Sequence, residues 1–290
     1  MKLEENVPLA RLTTIGTGGP AQAFAQPATL AELQWAIAWA SERGLAIAVV
    51  GLGSNLLAAD EGVDALVLKL AGELASVRTE GDRLHAGGGA TNAVCLHQAR
   101  TAGLGGFEFA CAIPGTAGGG VKMNAGAYGS DWSDILVRAR VVAPDWDYWM
   151  TPEDLRLAYR HSSIRPQDVV AEVEYRLTPR PPDEIKATVR ELIARRKSTQ
   201  PTNKRTFGSV FKNPEHELGA GQLLEQAGLK GFRIGGAMIS PMHANFIENA
   251  GGATTADALA LMAEARRRAR EQFGVELEHE VQLLGAIAVT

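Results

Sequence analysis

Cysteine and histidine are scarce in this sequence. Among its 290 residues only Cys95 and Cys111 are cysteines, too few for a disulfide framework or a multi-cysteine zinc site. The six histidines show no ligand spacing such as His-x-x-x-His, so no metal site is predicted. A Gly-x-Ser-x-Gly nucleophile elbow is also missing. These absences argue against a metalloenzyme and against a serine hydrolase that uses such an elbow.

Long apolar runs and an excess of basic charge are missing as well. The best membrane candidate, residues 44–59, is too short to span a bilayer and is interrupted by Gly51 and Gly53. Residues 1–11 contain two glutamates and no apolar segment of the kind found in a secretory signal. The formal net charge is −4, which disfavours a nucleic-acid or anionic-membrane partner. We therefore expect a cytoplasmic globular protein that binds neither nucleic acid nor membrane.

Helix and strand patterns alternate irregularly along the chain. Threonine caps and terminal glycines predict helices over 29–44 and 91–102. A charged segment predicts a helix over 183–197, an imperfect apolar period predicts one over 255–273, and Thr151-Pro152 predicts the start of a short helix. β-Branched and small apolar runs predict strands over 45–50, 66–70, 137–143 and 169–177, and one or two within 275–289. This irregular order favours an α+β fold over a regular doubly wound sheet. The proline-rich residues 178–182 are the clearest boundary candidate, because proline continues neither a strand ladder nor a helix.

Glycine is abundant, with 32 residues, and it is densest between Gly87 and Gly129. Residues 51–56 (Gly-Leu-Gly-Ser-Asn-Leu) follow a predicted strand and either present backbone N–H groups to a diphosphate or form an ordinary turn. They fail as a Rossmann fingerprint because Leu56 stands where glycine or alanine belongs.

Residues 114–120 (Pro-Gly-Thr-Ala-Gly-Gly-Gly) are the second glycine segment. Small side chains let this backbone lie flat against a planar or anionic ligand, and Thr116 adds a hydroxyl donor. The segment is no Walker A loop, because Val121 replaces the lysine. Residues 123–129 continue the same character. Two such segments favour a dinucleotide-sized ligand, and a tightly packed turn region is the alternative.

Three further segments carry polar side chains of catalytic type. Arg160 lies among hydroxyls, Ser209 and Lys212 lie in the aromatic stretch 207–214, and residues 277–281 alternate glutamates with His279. An arginine can bind a carboxylate through two hydrogen bonds. Taken singly, however, each segment is explained at least as well by an exposed surface.

In combination the motifs resemble the UDP-N-acetylenolpyruvoylglucosamine reductase family. The resemblance follows that family's order over nearly the whole chain, through residues 13–14, 18–21, 51–56, 114–119, 124–129, 159–160, 208–214, 243–246 and 273–281. It implies an FAD-binding fold of the vanillyl-alcohol-oxidase type. Residues 1–178 would form the FAD-binding domain, in two subdomains that split near 60–70, and residues 179–290 the substrate-binding domain. Because no inserted loop precedes the substrate domain, the chain resembles the shorter, second type of this reductase.

The resemblance also implies an activity in peptidoglycan precursor synthesis. NADPH would reduce a non-covalently bound FAD, and reduced FAD would convert the enolpyruvyl ether of the UDP-sugar into the lactyl ether of UDP-N-acetylmuramate. Arg160 would hold the intermediate, Ser209 would deliver a proton to the α-carbon, and Glu280 would act beside them as a proton-bearing partner or an orienting group. The protein is expected to be a monomer.

Further positions carry over from the family's motifs. The implied cofactor-binding residues are Gly51, Leu52, Gly53, Ser54, Asn55, Leu56, Pro114, Gly115, Thr116, Gly118, Gly119, Asn124 and Gly126. The implied substrate-binding residues are Tyr128, Lys212, Asn213 and His243. Two rival functions stay open: an oxidase with the same flavin fold, and a non-enzymatic module that binds a nucleotide sugar. The second rival leaves the order Arg160, Ser209, Glu280 unexplained.

Overall fold

The computed structural model describes residues 1–289. Within them, the six α-helices are α1 (Leu30–Glu42), α2 (Asn92–Thr101), α3 (Ala117–Lys122), α4 (Pro182–Thr199), α5 (Ala220–Gln226) and α6 (Thr255–Phe273). The strands are β1 (Leu3–Pro8), β2 (Pro20–Ala25), β3 (Ala46–Val49), β4 (Leu56–Ala58), β5 (Val63–Leu68), β6 (Val77–Glu80), β7 (Arg83–Gly87), β8 (Leu104–Gly105), β9 (Gly126–Ala127), β10 (Ser130–Asp131), β11 (Leu136–Val142), β12 (Asp147–Met150), β13 (Val169–Arg176), β14 (Thr178–Pro179), β15 (Thr206–Ser209), β16 (Arg233–Ile234), β17 (Ala237–Ile239), β18 (Phe246–Asn249) and β19 (Gln282–Leu284). No helix among the described residues is long and apolar enough to cross a membrane.

The chain forms two compact units, each assembled from separate segments. The first unit comprises Met1–Glu5, Ala23–Leu52 and Ala65–Arg195, and the second comprises Asn6–Gln22, Gly53–Asp64 and the chain from Arg196 onward. This division does not coincide with the boundary expected at residues 178–182, because the first unit continues through most of α4. The functional domains 1–178 and 179–290, with a split near 60–70 in the first, stay predictions.

The first unit is built on an antiparallel five-stranded sheet in the order β12-β11-β13-β7-β6. One apolar core of this unit centres on Phe107, Trp132 and Tyr175, all fully buried. The Trp132 indole donates a hydrogen bond of 2.8 Å to the Tyr175 hydroxyl, so neither buried polar group is left unsatisfied. A separate core packs α1 against the parallel strands β3 and β5. The four-stranded sheet to which these strands belong has the order β1-β2-β5-β3.

The second unit contains an antiparallel sheet in the order β15-β18-β17-β16 and a parallel pair, β4 with β19. Its core combines aromatic residues around β15 with apolar residues of α5 and α6, among them Phe207, Phe211, Leu223, Leu261 and Met262. Strands and helices mix irregularly in both units, as the α+β prediction requires.

Local capping explains why several helices begin where the sequence predicts. The hydroxyls of Thr29, Thr91 and Thr254 each accept a backbone N–H three residues later, at the starts of α1, α2 and α6. Gly274, with a φ of 68°, ends α6 in the left-handed conformation. The predicted helix 255–273 is therefore confirmed residue for residue.

The short helix expected after Thr151-Pro152 is wrong. The Thr151 hydroxyl does accept the Asp154 N–H, at 3.4 Å, and the Leu155 N–H reaches the Thr151 carbonyl at 3.0 Å. Arg156 then adopts a left-handed φ of 48°, which no helix can continue, and the segment stays a series of turns. The proline-rich segment 178–182 also differs from the expectation that it continues no strand ladder, because Thr178 and Pro179 form β14, which pairs with β8.

Candidate functional site

The glycine segment 114–120 is the start of a helix rather than an extended ribbon. Thr116 caps α3, and its hydroxyl accepts the Gly119 N–H at 3.4 Å. The Gly118 N–H donates to the Gly88 carbonyl at 2.9 Å, so this helix docks on a second glycine-rich stretch. A Cβ on Gly118 would lie 3.0 Å from that same carbonyl oxygen. The close approach of two backbones explains the small residues here, while Pro114 remains exposed.

The segment 51–56 is divided between the two units. In the first unit, a Cβ on Gly51 would lie 2.7 Å from the Thr116 hydroxyl oxygen, so the two predicted cofactor segments adjoin there. Leu52 follows with 38% of its surface exposed. In the second unit, Gly53 has a φ of 65°, and a Cβ on it would lie 1.9 Å from the Leu12 carbonyl oxygen. Only glycine fits position 53.

The rest of that segment is hydrogen-bonded inside the second unit. The Asn55 amide nitrogen donates to the Glu280 carbonyl at 3.2 Å, and the Gln282 N–H donates to the Asn55 carbonyl at 3.1 Å. Leu56 is buried and begins β4. The Ser54 carbonyl oxygen would lie 3.2 Å from a Cβ on Gly208. The expected cofactor segment therefore touches the backbone that carries Ser209 and Glu280.

A buried acceptor beside Gly115 tests whether the first unit fits FAD. Among residues 1–289, only two buried side-chain polar atoms lack a hydrogen-bond partner, and one is the Asn92 Oδ1. The Asn92 amide nitrogen donates to the Ile113 carbonyl at 2.9 Å, and its backbone N–H donates to the Gly115 carbonyl at 3.0 Å. An unsatisfied buried acceptor costs about 1–3 kcal/mol, so a donor from water or a ligand belongs there. The glycine backbone at Gly115, with the unsatisfied Asn92 Oδ1 beside it, fits FAD, which carries several hydroxyl and N–H donors.

Arg160 occupies a tight turn in a conformation unusual for arginine. The N–H groups of Ala158 and His161 each donate to the other residue's carbonyl, at 3.1 and 3.0 Å, and close a turn around Tyr159 and Arg160. Arg160 has a φ of 53°, in the left-handed region that favours glycine. A bulky residue held there costs about 1–2 kcal/mol. Such strain concentrates at functional positions.

The Arg160 guanidinium is anchored on Gly126. Its Nη2 donates to the Gly126 carbonyl at 2.7 Å, and its carbon lies 5.0 Å from the centre of the Tyr159 ring. A Cβ on Gly126 would lie 2.6 Å from the Asp131 Cβ and 3.2 Å from the guanidinium. The glycine therefore makes room for the arginine, and the half-buried guanidinium is oriented before any ligand arrives.

Asn124 and Tyr128 flank that anchor, and both also have left-handed backbone. Their φ values are 36° and 57°. The Asn124 side chain is buried and hydrogen-bonds to Asp131, Ala158 and the Ser133 N–H. The Tyr128 hydroxyl donates to the Leu192 carbonyl of α4 at 3.1 Å, and the Arg195 guanidinium lies 5.2 Å from the centre of its ring. Arg160, Asn124 and Tyr128 are three of the five non-glycine residues with positive φ in the described chain.

Ser209 follows a β-bulge. It ends β15 and pairs with Phe246, and the register shifts between Thr206 and Ser209. Gly208 supplies the positive φ of 81° that the bulge uses. A bulge of this kind re-aims the neighbouring side chain without straining it. Ser209 is half-buried.

Glu280 lies beside the segment that continues from Ser209. Its N–H donates to the Val210 carbonyl at 2.8 Å, and the adjacent residues Phe211 and His279 form an isolated antiparallel bridge. Glu280 is half-buried. Sequence alternation alone suggests a solvent-facing position for this carboxylate, and the backbone pairing instead brings Glu280 next to the Ser209 segment.

Lys212 is ion-paired within the second unit. Its ammonium lies 2.6 Å from the Glu278 carboxylate, and its backbone N–H donates to the Glu278 carbonyl at 2.9 Å. The lysine side chain is 21% exposed and the glutamate 70%. An anionic ligand at Lys212 would therefore compete with a solvated carboxylate, which is a weak partner.

Asn213 and His243 are held by neighbouring helix and strand ends. The Asn213 Oδ1 accepts the Ala220 N–H at 3.0 Å at the start of α5. The His243 Nδ1 accepts the Asn245 N–H at 3.2 Å, and its ring meets Phe246 edge-on. Burial, with a contribution from Lys230, lowers the pKa of His243. At neutral pH His243 is thus uncharged, and it is suited to hydrogen bonding rather than to charge pairing with a diphosphate.

Two asparagines important for the site's geometry were not singled out by the sequence analysis. Asn245 is buried, and its amide makes two hydrogen bonds to the Phe211 backbone, at 2.9 and 2.8 Å, which hold the chain between Ser209 and Lys212. It lies in the matched motif 243–246, from which only His243 was selected. Asn92 follows the predicted cap Thr91, and nothing in its local sequence indicates the distant backbone that it binds.

Other reactive groups are poor candidates. Burial raises the pKa of the Cys95 thiol to about 12, so this cysteine stays protonated and unreactive. Within residues 1–289 there is no group of three or more histidine, cysteine or acidic side chains that could hold a metal ion.

Comparison with known proteins covers both units. A family model described as "FAD binding domain" matches residues 21–146, and one described as "UDP-N-acetylenolpyruvoylglucosamine reductase, C-terminal domain" matches residues 200–284. UDP-N-acetylenolpyruvoylglucosamine reductase 2 of Symbiobacterium thermophilum is 43% identical over 280 residues, covering 96% of this chain and 91% of that protein. The reductase of Rubrobacter xylanophilus is 43% identical over 286 residues, covering 96% of this chain and 94% of that protein.

A solved structure agrees with these relatives. The crystal structure of UDP-N-acetylenolpyruvylglucosamine reductase (MurB) from Thermus caldophilus matches with a TM-score of 0.86 and 37% identity. The match covers 98% of this chain and 99% of that one.

Fold and matched domains together define an FAD-dependent oxidoreductase. Within that class, the chain belongs to the UDP-N-acetylenolpyruvoylglucosamine reductase family. The family resemblance, the α+β fold class with an FAD-binding domain and a C-terminal domain, and the FAD cofactor are thereby confirmed.

Proposed function

We propose that this protein reduces the enolpyruvyl ether of UDP-N-acetylenolpyruvoylglucosamine to the lactyl ether of UDP-N-acetylmuramate in peptidoglycan precursor synthesis. When bound, FAD would supply the hydride chemistry of the reaction, with NADPH as the hydride source and N5 as the atom that donates to the β-carbon of the enolpyruvyl group. The strongest support is the 43% identity to named reductases over 96% of the chain.

The cofactor would be held by side-chain-poor backbone and by the orphaned Asn92 Oδ1. The proposed contacts are Gly51, Leu52, Gly53, Ser54, Asn55, Leu56, Pro114, Gly115, Thr116, Gly118, Gly119 and Gly126, with Asn124 nearby. Two observations support this assignment in the first unit. Gly51 lies against Thr116, and an unsatisfied acceptor lies beside Gly115. These segments contain no histidine or cysteine, so the attachment is proposed to be non-covalent.

Arg160 is proposed to stabilise the negative charge that develops next to the substrate carboxylate. Hydride addition to the β-carbon gives the α-carbon carbanion or enolate character, and a fixed cation stabilises this charge without reorganising during the reaction. Support comes from the strained turn and from the Gly126 carbonyl, which orient the guanidinium in advance. A planar guanidinium also matches a carboxylate in a two-bond geometry that a lysine cannot reproduce.

Ser209 is proposed to deliver the proton to the α-carbon. A hydroxyl is a weak acid, so it acts through position and through a neighbour that replaces its proton. Glu280 is proposed as that neighbour or as the group that orients the intermediate. The Gly208 bulge and the backbone bond from Glu280 to Val210 support this pairing.

Four residues are proposed as substrate contacts. Lys212 would exchange its Glu278 partner for the diphosphate, and His243 would give an uncharged hydrogen bond. Asn213 and Tyr128 would contact the sugar nucleotide.

The test begins with an absorbance spectrum of the purified protein. Flavin bands are expected, followed by anaerobic bleaching with NADPH and recovery of the oxidised spectrum when the enolpyruvyl sugar nucleotide is added. Steady oxygen consumption with an alcohol or sugar would instead identify the oxidase. A colourless protein that binds the nucleotide sugar and does not take up FAD would contradict the proposal and favour the binding module.

We also propose that the protein works as a monomer in the cytoplasm, where NADPH would serve as its reductant. Light scattering on the flavin-loaded protein should give a mass near 30.8 kDa. A mass twice as large at micromolar concentration would contradict the monomer.

A further inference from the structure

The side-chain amide of Asn124 is fully hydrogen-bonded to other residues of this protein. Its amide nitrogen donates to the Asp131 carboxylate at 3.3 Å and to the Ala158 carbonyl at 3.0 Å, and its Oδ1 accepts the Ser133 N–H at 3.0 Å. The residue is 2% exposed. Both amide hydrogens are engaged, so none remains for a ligand. This geometry differs from what a direct cofactor contact needs.

The partners of Asn124 are the supports of Arg160. The Ala158 carbonyl that it binds is the same one that accepts the His161 N–H and closes the Arg160 turn. Asp131, its other partner, pairs with Gly126 in the β9–β10 ladder, and the Gly126 carbonyl receives the guanidinium. The Asn124 amide therefore links the Ala158 carbonyl of the turn to β10, and β10 pairs with the strand whose Gly126 carbonyl accepts the guanidinium.

The Arg160 turn requires such a support. A non-glycine residue in the left-handed region persists only where its surroundings outweigh the strain. The chain around the turn is also bound at Lys122, whose carbonyl accepts the Ser162 hydroxyl at 2.6 Å. Asn124 itself has a φ of 36°, which asparagine tolerates better than most residues.

We propose that Asn124 is a positioning residue for Arg160: it holds the turn so that the guanidinium faces the substrate carboxylate. The inference rests on the proposed role of Arg160, and it replaces a direct cofactor contact for Asn124. Loss of the amide donors would let the turn relax toward negative φ and carry the guanidinium off the Gly126 carbonyl.

The first experiment separates the two half-reactions in Asn124→Gly and Asn124→Asp. Glycine keeps the backbone conformation, and aspartate keeps the size and the Oδ1 acceptor but lacks both donors. Transfer to the enolpyruvyl substrate should slow by about 10- to 100-fold, as expected when a reacting group is misplaced by about 1 Å. The FAD dissociation constant, followed by flavin fluorescence, and the rate of flavin reduction by NADPH should stay within about twofold. Asn6→Gly, another asparagine with positive φ, is the matched control and should change neither half-reaction.

A double-mutant cycle distinguishes positioning of Arg160 from a general structural role. In an Arg160→Lys background, Asn124→Gly should add less than about threefold to the defect, because the two side chains act as one unit. Independent, multiplying effects would overturn the proposal. Weakening of FAD binding by tenfold or more, or normal turnover in both Asn124 variants, would overturn it too.

Trypsin provides a measurement that does not depend on turnover. Cleavage after Arg160 in the FAD-loaded protein, identified by mass spectrometry, should be at least tenfold faster in Asn124→Gly than in the wild type or in Asn6→Gly. Equal cleavage rates would contradict the link between Asn124 and the turn. If the wild-type protein fails to reduce the enolpyruvyl substrate, the proposed function fails, while the cleavage rates still decide whether Asn124 holds the turn.

Discussion

Arg160 in the first unit and Ser209 in the second both lie where the backbone departs from regular geometry, but the departure falls on different residues. At Arg160 the arginine itself adopts the left-handed conformation. At Ser209 the preceding Gly208 adopts it, and the serine keeps ordinary strand backbone. Glycine takes up positive φ at almost no cost, whereas arginine does not. One proposed catalytic group is therefore held under strain and the other is relaxed.

The supports of the two segments also differ. The Asn124 side-chain amide and the hydrogen bond from the guanidinium to the Gly126 carbonyl hold the Arg160 turn. Ladder-like backbone bonds hold the Ser209 segment, reinforced by the amide of Asn245. Each segment is held by its own buried asparagine, the Arg160 turn by Asn124 and the Ser209 segment by Asn245. Because a turn has few backbone bonds of its own, we expect the arginine to depend more strongly on side chains that are distant in sequence.

Removal of the Ser209 hydroxyl should produce the largest effect. Ser209→Ala should leave flavin reduction by NADPH intact and slow turnover of the enolpyruvyl substrate by roughly 10²–10⁴-fold, the usual contribution of proton delivery. Stopped-flow absorbance of the two half-reactions measures this. Ser198→Ala, an exposed serine of α4, is the control. Nearly unchanged turnover would remove Ser209 from the mechanism.

Arg160→Lys should lower kcat by roughly 10- to 100-fold, because a lysine cannot form the two hydrogen bonds that a planar guanidinium makes with a carboxylate. Lysine retains the positive charge, so the defect measures the contribution of the planar guanidinium geometry alone. Arg156→Lys, at an exposed arginine that also has a positive φ, should leave steady-state kinetics unchanged. Normal kcat in Arg160→Lys would argue against contact with the substrate carboxylate.

Gly208→Ala tests the relaxed bulge. The new Cβ would sit at a φ of 81° and 3.2 Å from the Ser54 carbonyl oxygen. We expect the free energy of unfolding to fall by about 2 kcal/mol, measured by urea denaturation. Gly228→Ala, with a φ of 70° and nothing within 4 Å of its Cβ, should lose only the conformational part, about 1 kcal/mol. Equal losses at the two glycines would show that the approach to Ser54 is unimportant.

Arg160→Gly should relieve the strained turn. The free energy of unfolding is expected to rise by up to about 1 kcal/mol, less the loss of the Gly126 hydrogen bond, while turnover falls further than in Arg160→Lys. Arg156→Gly should gain similar stability without losing activity, since its φ is also positive at 48°. A clear loss of stability in Arg160→Gly would mean that the turn is not strained.

The smallest effect concerns pH. Burial lowers the pKa of His243, so below pH 6.5 the unfolded chain binds a proton that the folded protein resists. Stability should therefore fall as the pH drops through this range, and His243→Gln should reduce the slope by at most about 1.4 kcal/mol per pH unit. Chemical denaturation at pH 7 and pH 5.5 measures the change. His279→Gln serves for comparison, because burial, with help from Arg266, lowers the pKa of His279 too.

Much of the fold follows from neighbours in sequence. The helix 255–273 was predicted to the residue, and in the structure its cap at Thr254 and its terminal Gly274 lie at its own ends. The helix expected after Thr151 does not form, although its local cap is present. Its cap forms, but Arg156 takes a left-handed φ that nothing in the local residue types indicates.

For the site, the motifs predict a set of residues, and they do not predict how each side chain is held. Asn124 is predicted as a cofactor contact, and in the structure its amide binds Ala158, 34 residues away. Asn92 binds Ile113, 21 residues away, and Asn245 binds Phe211 across 34 residues. A hydrogen bond over such distances depends on which segments the fold brings together, and residue type does not reveal that.

By itself, the amino-acid sequence determined the chemistry available to this protein: the family motifs, the capped helices, and the glycines at positions where backbones meet. Only the tertiary structure decided how that chemistry is held. It closed the Arg160 turn in a conformation better suited to glycine, and it placed a relaxed bulge before Ser209. Capping is an interaction over three or four residues, whereas the support of a strained turn comes from segments that meet only when the chain has folded.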